Sequence, residues 1–215
     1  MKPSKDSVKK FLNLIPTNTP KEELEDPWLD NLSYSHAFLV CVGAGPWKEA
    51  RRRQVQANAL RCFKNLGIED LRDIPMETEI DWYPFKWQNE YVVMAASLVK
   101  MERGLTFEKY CERVSEEGLD NQFFYDMIMV CSKDTNKKKY SKALSLFVRD
   151  KLKLPAFPLD RHVKRVLDDF EIPHDEEFVI NLCKEHGVNP SQLNRWIFKQ
   201  KSSNPDWRKK LIDIL

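Results

Sequence analysis

Two residues in this chain have the types and the setting for covalent chemistry: Lys142, a primary amine, and Asp160, a carboxylate, eighteen positions apart. A neutral amine attacks electrophilic carbon and forms Schiff bases. A carboxylate stabilises positive charge developing on a nearby carbon, the more so where water is excluded. The amine must be neutral to attack, which the cationic neighbours Lys137, Lys138 and Lys139 favour and the Asp160 carboxylate opposes. Both residues lie in the most basic part of the chain. Residues 133 to 165 hold eleven Lys and Arg against three Asp, a local +8 on a chain whose total is +2, so the remainder carries −6. A basic strip on a near-neutral chain points to a polyanion bound at one face.

Two helical patterns position this pair. Tyr140, Leu144, Phe147 and Val148 fall on one face of the first, and Val163, Val166, Leu167 and Phe170 on one face of the second. Pro155 and Pro158 end the first helix and hold the connector extended. Asp160 then stands at the N-cap of the second.

Composition bounds the rest. The chain has 215 residues, 42% hydrophobic and 32% charged, enough for a core beneath a polar surface. Six glycines and few Val/Thr alternations argue for an all-α fold. No apolar run approaches the ~20 residues of a membrane span, and the first residues lack the apolar centre of a signal peptide. Five scattered cysteines read as reduced thiols of an intracellular protein, in the cytoplasm or nucleoid, or the nucleus of a eukaryote. Residues 1–26 are expected to form a polar arm packed only in part, with a short amphipathic helix at Val8 to Ile15, and residues 27–215 a single domain. Helices are expected over Ser33 to Val42, from Trp47 to about Leu66, and over Tyr91 to Met101, Phe107 to Val114 and Asn121 to Cys131. Later ones are expected over Glu176 to Glu185, closed by Gly187, and from an Asn189-Pro190 start. The densest aromatic cluster, with Trp82, Tyr83 and Phe85, precedes the helix from Tyr91. Such rings stack a displaced base or simply pack a lobe.

Leu159-Asp160-Arg161-His162-Val163 resembles the catalytic-aspartate segment of the helix-hairpin-helix DNA glycosylase superfamily, which contains endonuclease III. With a lysine eighteen positions upstream it is most similar to the compact archaeal-type 8-oxoguanine DNA glycosylase/lyases. That resemblance implies two helical lobes with a DNA- and base-binding cleft between them, the hairpin and catalytic segment spanning about 130–170. It implies that Lys142 is the nucleophile and Asp160 the carboxylate that stabilises charge on C1′ of the deoxyribose. The expected partner is double-stranded DNA containing a damaged base, met by a monomer without a membrane. The chemistry needs neither metal nor cofactor. The family's hairpin carries a glycine-rich turn; here Asp134 to Ser141 has no glycine, so the DNA backbone would be held by Lys137, Lys138, Lys139 and Ser141, with Arg161 and Arg165 beyond. A late-helix segment, Leu193-Asn194-Arg195-Trp196-Ile197-Phe198, is similar to the family's base-holding pattern, with Asn194 where the family has Asp and Phe198 four residues on. Residues so spaced share a helix face, making both base-pocket candidates beside Phe85, Trp82 and Tyr83.

A different class competes. Phe178 to Glu185, Gly187-Val188 and the helix from Pro190 also read as a helix-turn-helix, with Asn194 and Arg195 facing DNA and no catalysis. A glycosylase for another lesion, an alkylated purine or uracil, is the third reading.

Overall fold

A computed structural model describes residues 3–43, 49–74, 105–117 and 147–203. Among these residues there are helices and no β-strand, the all-α class implied by composition. None of the described helices is long and apolar enough to cross a membrane. The chain divides into two compact units, one of Met1–Pro27 with Pro155–Leu215 and one of Trp28–Leu154.

The first unit holds α1 (Lys5–Leu12), α2 (Lys21–Leu24), α7 (Arg161–Asp169), α8 (Glu176–Glu185) and α9 (Pro190–Ser203). α1 is a well-signalled helix: Ser4 Oγ caps the amide of Ser7, Asp6 lies in the first turn, and Lys9 and Lys10 lie in the last. That charge order complements the helix dipole. The arm, expected to pack only in part, does supply core residues. Phe11 is fully buried, with its ring centroid 6.3 Å from Phe157 and 5.9 Å from Phe170. The short amphipathic helix expected at Val8 to Ile15 forms three residues earlier, and its Val8, Phe11 and Leu12 lie on one helix face and meet the apolar side of α7. One division falls beside the expected boundary, between Pro27 and Trp28, but the N-terminal segment joins Pro155–Leu215 in one compact unit.

In α7, Val163, Val166 and Leu167 are buried at the i, i+3, i+4 spacing, whereas Arg161, Arg165 and Asp168 are exposed. Two of the unit's helices end alike. After α8, Gly187 takes φ +69° while Gly187 N donates to Lys184 O and Val188 N to Cys183 O. After α7, Glu171 takes φ +57° with the equivalent bonds to Asp168 O and Leu167 O. Both are Schellman caps, and the second places a side chain where glycine is usual.

The second unit holds α4 (Tyr34–Gly43), α5 (Glu49–Asn65) and α6 (Phe107–Glu117), with a short α3 (Pro27–Asp30) at its beginning. Phe38, Phe107 and Phe147 form its ring cluster, with centroids 5.4 to 6.2 Å apart. Glu108 caps α4 from a distance, its two carboxylate oxygens accepting from Tyr34 N and Ser35 N at 2.9 Å. Asp70 accepts from Phe107 N and Arg72 N, tying the loop after α5 to the start of α6.

Candidate functional site

The basic strip splits when its described part, residues 147–165, is followed through the structure. Arg149 is buried, its guanidinium bound side-on to the carboxylate of Asp150 at 2.6 and 2.7 Å. Lys151 Nζ donates to the carbonyls of Asp30 and Leu32 and lies 5.0 Å from the centre of the Tyr34 ring. Burial pushes its pKa down. Lys153 pairs with Asp30 at 2.7 Å. Three of the cations counted toward a polyanion-binding face thus serve their own unit. Arg161, Lys164 and Arg165 lie instead along α7, with Arg161 and Arg165 exposed. A charge count along the sequence cannot separate these two groups, because packing decides which cations turn inward: Lys151 and Lys153 meet acceptors more than about 100 positions away, and Arg149 is buried with its neighbour Asp150.

Asp160 is built into the start of α7. Its Oδ1 accepts from both His162 N at 2.7 Å and Val163 N at 2.8 Å, satisfying two amides that no helical carbonyl can reach. Among the described residues no hydrogen bond engages its Oδ2. The residue is 8% exposed, so a carboxylate sits in a largely water-excluded position at the positive end of a helix. Arg161 Nε donates to His162 Nε2 at 2.9 Å. Arginine only donates, so that imidazole nitrogen is an acceptor, consistent with a structural histidine.

The connector ahead of Asp160 is extended and buried through Ala156, Phe157 and Pro158. No strand pairs with it among the described residues, yet buried backbone polar groups need partners. Side chains supply them. Ser191 Oγ accepts from Ala156 N at 3.0 Å and donates to Ala156 O at 3.4 Å. Glu176 Oε1 accepts from Phe157 N at 2.9 Å. Asn194 Nδ2 donates to Pro158 O at 3.2 Å, and the same carbonyl accepts from Asp160 N at 3.0 Å. Removal from water pushes the Glu176 pKa up, against the Phe157 amide, which pulls it down. The helix bringing Ser191 and Asn194 starts where the sequence signals it: Asn189 Oδ1 accepts from Ser191 N and Gln192 N, with Pro190 between.

Of the sequence-derived site residues, the structure brings Asp160 and Asn194 to the two ends of one short segment. Asn194 is 1% exposed and its amide meets the connector. Phe198 is half-buried on the same helix. Lys142, Lys137, Lys138, Lys139, Ser141, Trp82, Tyr83 and Phe85 lie outside the described residues. Sequence reasoning missed Glu176 and Ser191. Glu176 reads as an ordinary first-turn acid. Ser191 had one available signal, its place three residues before Asn194 on the same helix face. The helix-turn-helix alternative loses its readers, since Asn194 is buried and Arg195, paired with Asp26 at 3.5 Å, is 12% exposed. Side chains so withdrawn do not reach base edges in a groove.

Over the described residues the fold is all-helical, with a capped, shielded aspartate following a proline-bounded connector. No protein-family model, curated protein or solved structure matches the chain.

Proposed function

We propose that this protein is a bifunctional DNA glycosylase/AP lyase that excises a damaged base, with 8-oxoguanine as the first candidate. The reading rests on one observation: Asp160 is a shielded helix cap with one oxygen committed to two amides and the other unengaged among the described residues. It lies within the Leu-Asp-Arg-His-Val segment that resembles the glycosylase superfamily. Arg161 and Arg165, exposed on the same helix, are suited to phosphate oxygens.

In this reaction Lys142 Nζ, as the free amine, attacks C1′ while the glycosidic bond breaks and its electron pair leaves with the base, which takes up a proton. Asp160 stabilises the positive charge that develops on C1′. The sugar opens to a Schiff base on Lys142. Loss of a proton from C2′ then expels the 3′ phosphate and cuts the strand. A glycosylase acting on duplex DNA must also turn its base out of the stack.

Borohydride reduces a Schiff base to a stable amine, so the test is covalent trapping on duplexes each carrying one lesion or an abasic site. The expected result is trapping by the parent protein, loss of trapping in Lys142→Gln with DNA affinity kept, and slowed base release in Asp160→Asn. A protein that binds DNA with sequence preference, is never trapped and is indifferent to Lys142→Gln overturns the proposal. Trapping on an abasic site together with release of an alkylated purine or uracil, and not 8-oxoguanine, keeps the reaction class and replaces the substrate.

A further inference from the structure

We propose that Ser191, Glu176 and Asn194 form a three-point clamp that sets the position of the Asp160 carboxylate; the catalytic consequence of this clamp rests on the function proposed above. The connector from Pro155 to Leu159 has no helical or sheet bonding among the described residues, and its two prolines donate no N–H. What holds it is a set of side chains on consecutive residues: Ser191 on Ala156, Glu176 on Phe157 and Asn194 on Pro158. Glu176 opens α8, and Ser191 and Asn194 lie in the first two turns of α9, so each support is fixed on a helix. The link to Asp160 is short. The Pro158 carbonyl takes the Asn194 amide on one side and the Asp160 N–H on the other, leaving one hydrogen bond between clamp and aspartate backbone.

Such an arrangement exceeds what a helix cap requires. Capping sets χ1 of the aspartate relative to its own helix, whereas the clamp sets where the connector enters that helix. Proline at 155 and 158 narrows the conformations open to the connector, so four bonds from three side chains suffice to hold it. Charge-stabilising groups act through placement fixed before the reaction, and a supporting shell of hydrogen bonds provides that placement. Asn194, a base-pocket candidate by position, thereby acquires a different task. It is a positioning residue for Asp160.

The test compares Ser191→Ala, Ser191→Thr and Asn194→Asp in the full chain. Asparagine to aspartate keeps shape and removes the donor to Pro158 O; serine to alanine removes the hydroxyl, and threonine keeps it. The first readout is hydrogen exchange at the His162 and Val163 amides, which needs no activity. Ser191→Ala and Asn194→Asp are expected to speed exchange there about tenfold while α4 amides exchange as in the parent, with Ser191→Thr at the parental rate. The second readout is single-turnover base release, expected to fall about tenfold in the same two variants with duplex affinity unchanged. Unchanged exchange at these two amides overturns the clamp. Faster exchange with undiminished base release overturns the positioning role. Should Asn194→Asp alter the choice between damaged and normal bases without loosening either amide, Asn194 is a base reader and the clamp fails. A parent that releases no base from any lesion while its variants still loosen the amides overturns the enzyme reading and leaves the clamp standing. If Asn194→Asp does not fold, the alanine–threonine pair at Ser191 decides alone.

Discussion

Two aspartates begin neighbouring helices of the same unit, and they differ in everything except that task. Asp175 caps α8 by accepting from Phe178 N at 3.0 Å, and it does so while exposed. Asp160 caps α7 with two amides on one oxygen at 8% exposure. A helix start needs an oxygen acceptor and no shielding, as Asp175 demonstrates. Removing a carboxylate from water is unfavourable unless hydrogen bonds compensate. The extra burial of Asp160 is therefore not explained by capping. It follows from the connector, whose Phe157 ring packs near Phe11 and whose backbone is held by α8 and α9. One aspartate ends a loop, and the other ends a construction.

The sharpest break in this comparison is catalytic. Asp160→Ala is expected to lower single-turnover base release by at least about a hundredfold, a loss typical of removing one charge-stabilising group; Asp175→Ala is expected to leave the rate unchanged. Equal rates for the two variants would reduce Asp160 to a cap. Thermal or urea unfolding should rank them less far apart, with Asp175→Ala costing about 1 kcal/mol.

Glu176, beside Asp175, supplies a pH-dependent test of the support. Its folded pKa lies above the ordinary glutamate value, chiefly through burial. Between those two values the native state keeps a proton that the unfolded chain has released, so this group's contribution makes stability fall as pH rises through the window. Glu176→Gln removes that decline and keeps an acceptor for Phe157 N. Urea midpoints followed from acid to neutral pH should show the variant gaining on the parent as pH rises. A constant difference would mean that Glu176 does not titrate as a shielded acid.

The smallest expected change lies at the other end of α7. Glu171→Gly should stabilise the fold by about 0.5 kcal/mol, because relief of a left-handed backbone is partly cancelled by the freedom glycine adds to the unfolded chain. The same substitution gains nothing at α8, where Gly187 already occupies that position.

Much of the local architecture is legible in residue order. Val163, Val166 and Leu167 announce the buried face of α7; Asp160 and Asn189-Pro190 announce helix starts; and Gly187 announces an end. These are short-range matters, decided by side-chain period and by bonds spanning two to five residues. Lys151 and Arg149 show the opposite case. Both count as basic surface in the sequence, yet one guanidinium is folded inward and one ammonium donates to carbonyls about 120 positions away. The N-terminal segment is similar: its amphipathic helix is legible, but its place beside Pro155–Leu215 is not.

By itself, the sequence determined the helical class, the capping residues, the proline-bounded connector and the placing of an aspartate at its end. Tertiary structure alone decided that Asp160 is shielded, that Asn194 turns to the connector, and that Glu176 and Ser191 belong with them. The physical reason is separation. Caps and faces arise from neighbours along the chain, whereas the bonds holding the connector join residues 19 to 36 positions apart. Such bonds exist only once α8 and α9 have packed, since nothing in the local conformation of residues 155–160 calls for a serine, an acid or an amide from those helices.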